Sequence, residues 1–248
     1  MRVKLVVAYE GTNYCGWQIQ PNGITIEEVL NENLSQLLGE DIKVTGASRT
    51  DAGVHSMGNV AVFDTNTRMP AEKISFALNQ RLPEDIVVQD SCEVSKDFHP
   101  RFSNSIKTYE YRILNRRFAL PLERNTSYFY HYPLDVKKMQ QAASYLVGEH
   151  DFTSFSSVHA QTNTFVRTIY SLDVSKGNDM ISIRVTGNGF LYNMVRIIAG
   201  TLVQVGAGMI EPERIEEILE GKDRALAGPT APAHGLTMIG IEYLYISQ

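Results

Sequence analysis

Gly46-Ala47-Ser48-Arg49-Thr50-Asp51-Ala52-Gly53-Val54-His55 sets an arginine and an aspartate two residues apart in a glycine-bounded loop, ahead of apolar Val60, Val62 and Phe63. A carboxylate that acts as a nucleophile must stay ionised, and a cation within a few ångströms lowers its pKa. Small residues on both sides let a bulky ligand approach the backbone closely. Taken alone, an Arg-x-Asp reads sooner as a surface turn with an incidental ion pair, worth about 0–1 kcal/mol.

The elements around this loop follow from periodicity. Val3–Tyr9 alternates as a strand, and 24–38 has apolar residues at helical spacing, with Thr25 as N-cap and Gly39 as the stop. Strands at 42–47 and 59–64 flank the Asp51 loop. Pro70 opens a helix over 71–80, and 86–93 returns as a strand. The second half repeats this order. It has a strand at 108–114, a helix capped by Asp135 running through Val147 to Gly148, and an antiparallel pair at 164–175 and 181–187 across Gly177-Asn178-Asp179. A helix over 190–205, another from Pro212 to Leu219 and a last strand at 236–246 complete it. The pattern predicts an α+β fold of two related halves, 1–105 and 106–248. Each half is a mostly antiparallel sheet with helices on one face, the two joined around a central catalytic cleft.

Composition bounds the function classes. With 43% hydrophobic and 21% charged residues, the 248-residue chain is an ordinary globular protein. Its start reads as a strand and not as a signal peptide, and polar Asn193, Arg196 and Gln204 interrupt the long apolar segment 190–209. No membrane span is expected, and a cytoplasmic location is. Cys15 and Cys92 lie far apart, and none of His55, His99, His131, His150, His159 and His234 stands at a metal-ligand spacing, so no metal and no cofactor are expected. The net charge of −5 argues against non-specific nucleic-acid binding as the main role. Yet residues 96–124 carry 7 basic against 3 acidic side chains. Such a segment suits a localised phosphate-contacting groove, or a solvated strand face.

Three further segments stand in order along the chain. They are Tyr9-Glu10-Gly11-Thr12-Asn13-Tyr14-Cys15-Gly16-Trp17-Gln18-Ile19-Gln20-Pro21, then Phe98-His99-Pro100-Arg101-Phe102-Ser103 running into Lys107-Thr108-Tyr109-Glu110-Tyr111, and Gly187-Asn188-Gly189-Phe190-Leu191-Tyr192-Asn193-Met194-Val195-Arg196 with the later Ala231-Pro232-Ala233-His234-Gly235-Leu236. Together with the Asp51 loop they resemble the tRNA pseudouridine synthase A family over nearly the full chain. The resemblance implies a metal-independent isomerase that converts uridine to pseudouridine at positions 38, 39 and 40 of the tRNA anticodon stem-loop, working as a homodimer. The chemistry breaks the C1′–N1 bond, turns the uracil and rejoins it through C5. One ionised carboxylate beside an extruded base can serve by attack on C1′, by addition to C6 or by taking the C2′ proton.

Carried over to this chain, the resemblance makes Asp51 the nucleophile. Arg49 orients its carboxylate or fills the stack left by the extruded base. Arg196 matches an arginine that pairs with the catalytic aspartate, and Tyr109 a tyrosine that stacks on the target uracil. Phe190 and Leu191 resemble the apolar residues that close the uracil pocket, though plain core packing fits them too. Arg101, Lys107, Arg167 and Arg184 are the candidate phosphate contacts, while His55, His99 and His150 read as structural. Ser48 stands where the family often has glycine, a small-for-small change. The segment 161–167 is less basic than a tRNA-contacting loop would be. Two other classes compete. A catalytically silent tRNA-binding protein of the same fold would lack Asp51 or Arg196, and a metal-dependent hydrolase would need a carboxylate or histidine cluster that the spacing does not supply.

Overall fold

The computed structural model describes residues 1–158 and 162–244, so His159, Gln161 and the far end of the expected last strand lie outside the described residues. The elements run β1 (Arg2–Tyr9), α1 (Ile26–Leu38), β2 (Thr45–Gly46), β3 (His55–Asp64), α2 (Ala71–Leu78) and β4 (Ile86–Val94). They continue with β5 (Ser105–Asn115), β6 (Tyr128–Tyr130), α3 (Val136–Ser144), β7 (Gly148–Asp151), β8 (Val166–Gly177) and β9 (Met180–Gly187). Helices α4 (Met194–Gly206) and α5 (Arg214–Gly221) and strand β10 (Leu236–Tyr243) follow. The fold is α+β and divides into two compact units. One holds Met1–Ser105 with the chain from Met238 onward, the other Ile106–Thr237. The last strand, counted with the second half on sequence grounds, therefore groups mainly with the first.

In the first unit the strand order is β4-β1-β3-β10, with β1 antiparallel to both neighbours. Every second residue of β1 is buried, because successive side chains alternate across the sheet. Val3, Leu5 and Val7 meet Ile26, Leu30 and Leu34 of α1 and Ala71, Ile74 and Leu78 of α2, so both helices cover one face. Each fully buried aliphatic side chain contributes about 1.5–3 kcal/mol relative to exposure. Helix α1 starts where a capping box forms: the Thr25 hydroxyl accepts from the Glu28 N–H at 3.3 Å, and the Glu28 carboxylate accepts from the Thr25 N–H. It stops at Gly39, whose φ of 68° is left-handed. Strand β2 is only two residues long, not the six expected. The Ile42 and Val44 N–H groups donate instead to Ser35 Oγ (2.9 Å) and Asn31 Oδ1 (2.8 Å) on α1, which leaves the backbone before Thr45 no need of a strand partner.

In the second unit β9 pairs antiparallel with both β5 and β8, β8 with β7, and β6 runs parallel to β5. Strands β8 and β9 are joined by Asn178-Asp179, with Asn178 at φ 53° as a two-residue turn requires. Helix α4 is buried nearly all round. A Cβ on Gly200 would collide with the Pro229 carbonyl, and one on Gly206 would come within 2.8 Å of Met139 Sδ on α3. Several helix boundaries differ from the expected ones: α2 ends at Leu78, α4 at Gly206 and α5 at Gly221, and three further shifts have a visible cause. Helix α3 ends at Ser144, because the next residues close into tighter turns (Leu146 N–H to Ala143 C=O, 3.1 Å) before Gly148, at φ 112°, opens β7. Helix α4 begins at Met194 and not at 190, because Asn193 sits left-handed at φ 62°. Helix α5 begins two residues beyond Pro212, after a turn in which the Ile215 N–H reaches the Pro212 carbonyl.

Candidate functional site

The Asp51 loop spans the gap between β2 and β3 and is pinned by the segment after β1. Trp17 N–H donates to the Thr50 carbonyl (3.0 Å), and Gly53 N–H to the Tyr14 carbonyl (3.3 Å). These bonds grip the backbone immediately before Asp51 and two residues after it, while the Val54 N–H closes on the Asp51 carbonyl itself at 3.1 Å. Side chains add to the grip. The Tyr9 hydroxyl pairs with Thr50 Oγ1 at 2.8 Å, Asn59 Nδ2 donates to the Ser48 carbonyl at 3.0 Å, and all four residues are buried. His55 is structural, as expected: it is buried and its Nδ1 accepts the Gly11 N–H at 3.0 Å, which leaves the neutral ring's proton on Nε2.

The close approach explains the glycines. A Cβ on Gly16, which sits at φ 83°, would stand 2.5 Å from the Thr50 carbonyl oxygen. One on Gly11 would strike the Val54 carbonyl, and one on Gly46 would enter the Trp17 indole. Within this rigid frame Asp51 is half-buried and Arg49 exposed. A half-buried carboxylate in a fixed loop can face a ligand without reorganising to meet it.

Arg101 lies in the same unit. Its guanidinium pKa is lowered, first by burial of part of the group and then by the charge of Arg49. The two cations are therefore neighbours, an arrangement that favours an anion from outside.

The second unit gathers the other candidates. On β5, Tyr109 and Tyr111 pair across β9 with Val185 and Ile183 and point to the same buried face. Tyr109 meets Phe190 edge to face, with ring centroids 5.2 Å apart and planes at 82°. Phe190 and Leu191 lie in the loop between β9 and α4 and not in the helix. That loop is held by Asn188, whose Oδ1 accepts the Thr168 N–H at 3.0 Å. Phe190 is half-buried and Leu191 buried. Tyr111 is fully buried, and its hydroxyl donates to the Pro232 carbonyl at 2.8 Å. Burial raises its pKa far above the ordinary phenol, so it stays neutral.

Arg196, near the start of α4, is half-buried. Its Nε donates to the Ala231 carbonyl (2.8 Å) and one terminal nitrogen to Asn193 Oδ1 (2.8 Å). The Ala231 N–H returns a bond to the Arg196 carbonyl at 3.1 Å. The segment 231–235 thus holds both Arg196 and Tyr111, with Gly235 lying against the Tyr111 ring. Sequence reasoning quoted this segment and missed its bracing role, because backbone carbonyls leave no signature in residue type.

The remaining basic candidates differ in their surroundings. Lys107 is half-buried on β5 opposite Gly187. Arg167 donates to the carbonyls of Thr164 (2.9 Å) and Val166 (2.6 Å), so it ties down its own loop. Arg184 is exposed, with Glu110 and Asp173 as its cross-strand partners on either side. Among the described residues no group of three or more His, Cys, Asp or Glu side chains could hold a metal ion, and no helix is long and apolar enough to cross a membrane.

Comparison with known proteins is consistent along the chain. A family model described as tRNA pseudouridine synthase matches residues 5–103 and 142–243. A protein of Thermoanaerobacter sp. named tRNA pseudouridine synthase A is 49% identical over 241 residues, which covers 97% of this chain and 99% of that protein. Proteins of the same name from Ruminiclostridium cellulolyticum and Brevibacillus brevis are 50% and 48% identical, each covering 98% of this chain and 99% of its own length.

The bracing of the Asp51 loop is testable apart from any chemistry. Gly16→Ala forces a left-handed alanine against the Thr50 carbonyl and is expected to lower the unfolding free energy by about 1–3 kcal/mol. Urea unfolding measures it, and an unchanged midpoint would contradict the close packing.

Proposed function

Because the chain belongs to the tRNA pseudouridine synthase family, an isomerase family acting on uridine in tRNA, we propose that it forms pseudouridine at positions 38, 39 and 40 of the anticodon stem-loop with Asp51 as the attacking carboxylate. The observation that carries the assignment of Asp51 is its half-buried place in a loop gripped on both sides by the segment ending at Trp17. The reaction transfers no group and no electrons to the protein. It needs one ionised carboxylate at a fixed position while the C1′–N1 bond breaks and the C1′–C5 bond forms. The C5 proton is then lost and N1 gains one. Attack on C1′, addition to C6 and proton removal from C2′ all place the same demand on Asp51.

In this reading Arg49 orients the carboxylate or fills the stack vacated by the base. Arg196, held by Ala231 and Asn193, supplies the cation that keeps the carboxyl ionised. The Tyr109 ring stacks on the uracil, its edge-to-face contact with Phe190 fixing its tilt, and Leu191 closes the apolar wall. The four phosphate candidates are unequal. Arg101 and Lys107 contribute most, Arg167 is engaged with its own loop, and Arg184 stands between two acidic residues, Glu110 and Asp173, in the strand register. Both Asp51 and Arg196 are present, so nothing favours the catalytically silent alternative.

The proposal extends to a homodimer in the cytoplasm. Its support is an apolar strip in the second unit, where Phe118, Leu120 and Leu122 are exposed close together in sequence, Leu122 by 93%. Such a strip marks an interaction surface more readily than an isolated exposed leucine does.

Two measurements check these assignments. With tRNA tritiated at uracil C5, in chelator, the wild type is expected to release tritium from the anticodon arm. Asp51→Asn should release none while its tRNA affinity stays within a few-fold, and turnover by that variant would remove Asp51 from the chemistry. Leu122→Glu should convert a dimer to a folded monomer in sedimentation, and an unchanged sedimentation coefficient would move the interface elsewhere.

A further inference from the structure

The motif Phe98–Ser103 has a role so far only through Arg101, yet its loop is built with care. Phe98 is buried edge-on against Tyr243, with centroids 4.9 Å apart, and the Tyr243 hydroxyl donates to the Pro100 carbonyl at 2.7 Å. The Ser103 N–H donates to the His99 carbonyl at 3.0 Å, and the Arg101 N–H to His99 Nδ1 at 3.2 Å. On this anchored frame Phe102 is 80% exposed, its ring stacked on His99 at 4.4 Å and 30°. What sets this phenylalanine apart from a singly exposed apolar residue is its setting: an anchored loop presents one open ring face, with a second ring stacked behind it.

The surroundings say what kind of ligand covers that face. Arg101 adjoins Phe102 in sequence and feels the charge of Arg49, from the Asp51 loop of the same unit. Neither arginine makes an ion pair with any described residue. A cation in no ion pair, next in sequence to one open aromatic face, matches the two parts of a nucleotide. A phosphate answers the charge and a base answers the ring. An apolar protein partner would bury the arginines uncompensated.

We propose that Phe102, backed by His99, stacks on an unpaired base of the bound RNA next to the target uridine, while Arg101 holds the phosphate of that nucleotide. This rests on the reading of the chain as an enzyme of the tRNA anticodon arm and adds a nucleotide contact to it. Phe102 is a positioning residue. It holds the RNA strand so that the extruded uridine meets Asp51, and takes no part in the bond changes.

The test uses anticodon stem-loop RNAs with 2-aminopurine at one unpaired loop position at a time. Binding to the wild type is expected to quench the fluorescence at one position. Phe102→Ala should lose that quenching and weaken binding about tenfold, within the range for removing one base–aromatic stack. Phe102→Tyr should restore both. In tritium release the loss should fall on KM more than on kcat, and Arg101→Gln should lower the salt slope of binding by about one. If Phe102→Ala quenches and binds like the wild type, the proposal is wrong. It is equally wrong if that variant's only change is in sedimentation, which would make Phe102 a protein contact. The two readings fail separately: absent tritium release by the wild type overturns the enzyme assignment, while normal release with an indifferent Phe102→Ala overturns only the stacking contact.

Discussion

The grip of the Gly11–Trp17 segment on the Asp51 loop is the constraint from which the rest of the first unit follows. A loop that must present a carboxylate at one position cannot rely on its own short sequence, which is small and flexible. Here it borrows rigidity through backbone bonds from Trp17 and to Tyr14, and through the Tyr9 and Asn59 side chains beneath it. Those bonds form only where backbones come close, hence the glycines at 11 and 16, while Gly46 makes room for the Trp17 ring. Tyr9 and Trp17 are in turn positioned by the core that α1 and α2 build over β1. The helices therefore serve the site at one remove, by holding the strand from which the gripping segment departs.

The second unit applies the same principle with other parts. Arg196 and Tyr111 come from different elements, and one short segment, 231–235, holds both through its carbonyls. The carbonyl and the amide oxygen fix the direction in which the Arg196 guanidinium points. Tyr109 and Tyr111 lie on one face of β5 and differ in use. Tyr111 is wholly enclosed with its hydroxyl satisfied, whereas Tyr109 meets the loop ring of Phe190.

Much of this was legible in the sequence wherever a local rule decided the outcome. Thr25 and Gly39 bound α1 as cap chemistry dictates, the turn at Asn178 lies where the strand pattern placed it, and Tyr109 and Tyr111 share a face because side chains alternate along a strand. What was not legible depends on contacts between residues far apart. Strand β2 shrank because Asn31 and Ser35, read only as polar positions of a helix, satisfy the backbone of residues 42–44. Helix α4 starts late because Asn193 turns left-handed, a choice that residue type permits and does not dictate. Arg49 and Asp51 stand out by type and spacing, and Arg196 through the family resemblance. Their supports at Tyr9, Asn59 and Ala231 do not, and Phe102 passes as one aromatic among many until its exposure is seen.

This architecture fixes where the carboxylate sits, and charge alone is not enough. Asp51→Glu tests it most directly, since it keeps the charge and carries the carboxylate about 1.5 Å farther along one extra carbon–carbon bond. Single-turnover formation of pseudouridine, measured with saturating enzyme on an anticodon stem-loop, is expected to fall by about a hundredfold or more. A rate near that of the wild type would contradict the account, because it would mean that the gripped loop does not set the geometry of the reaction.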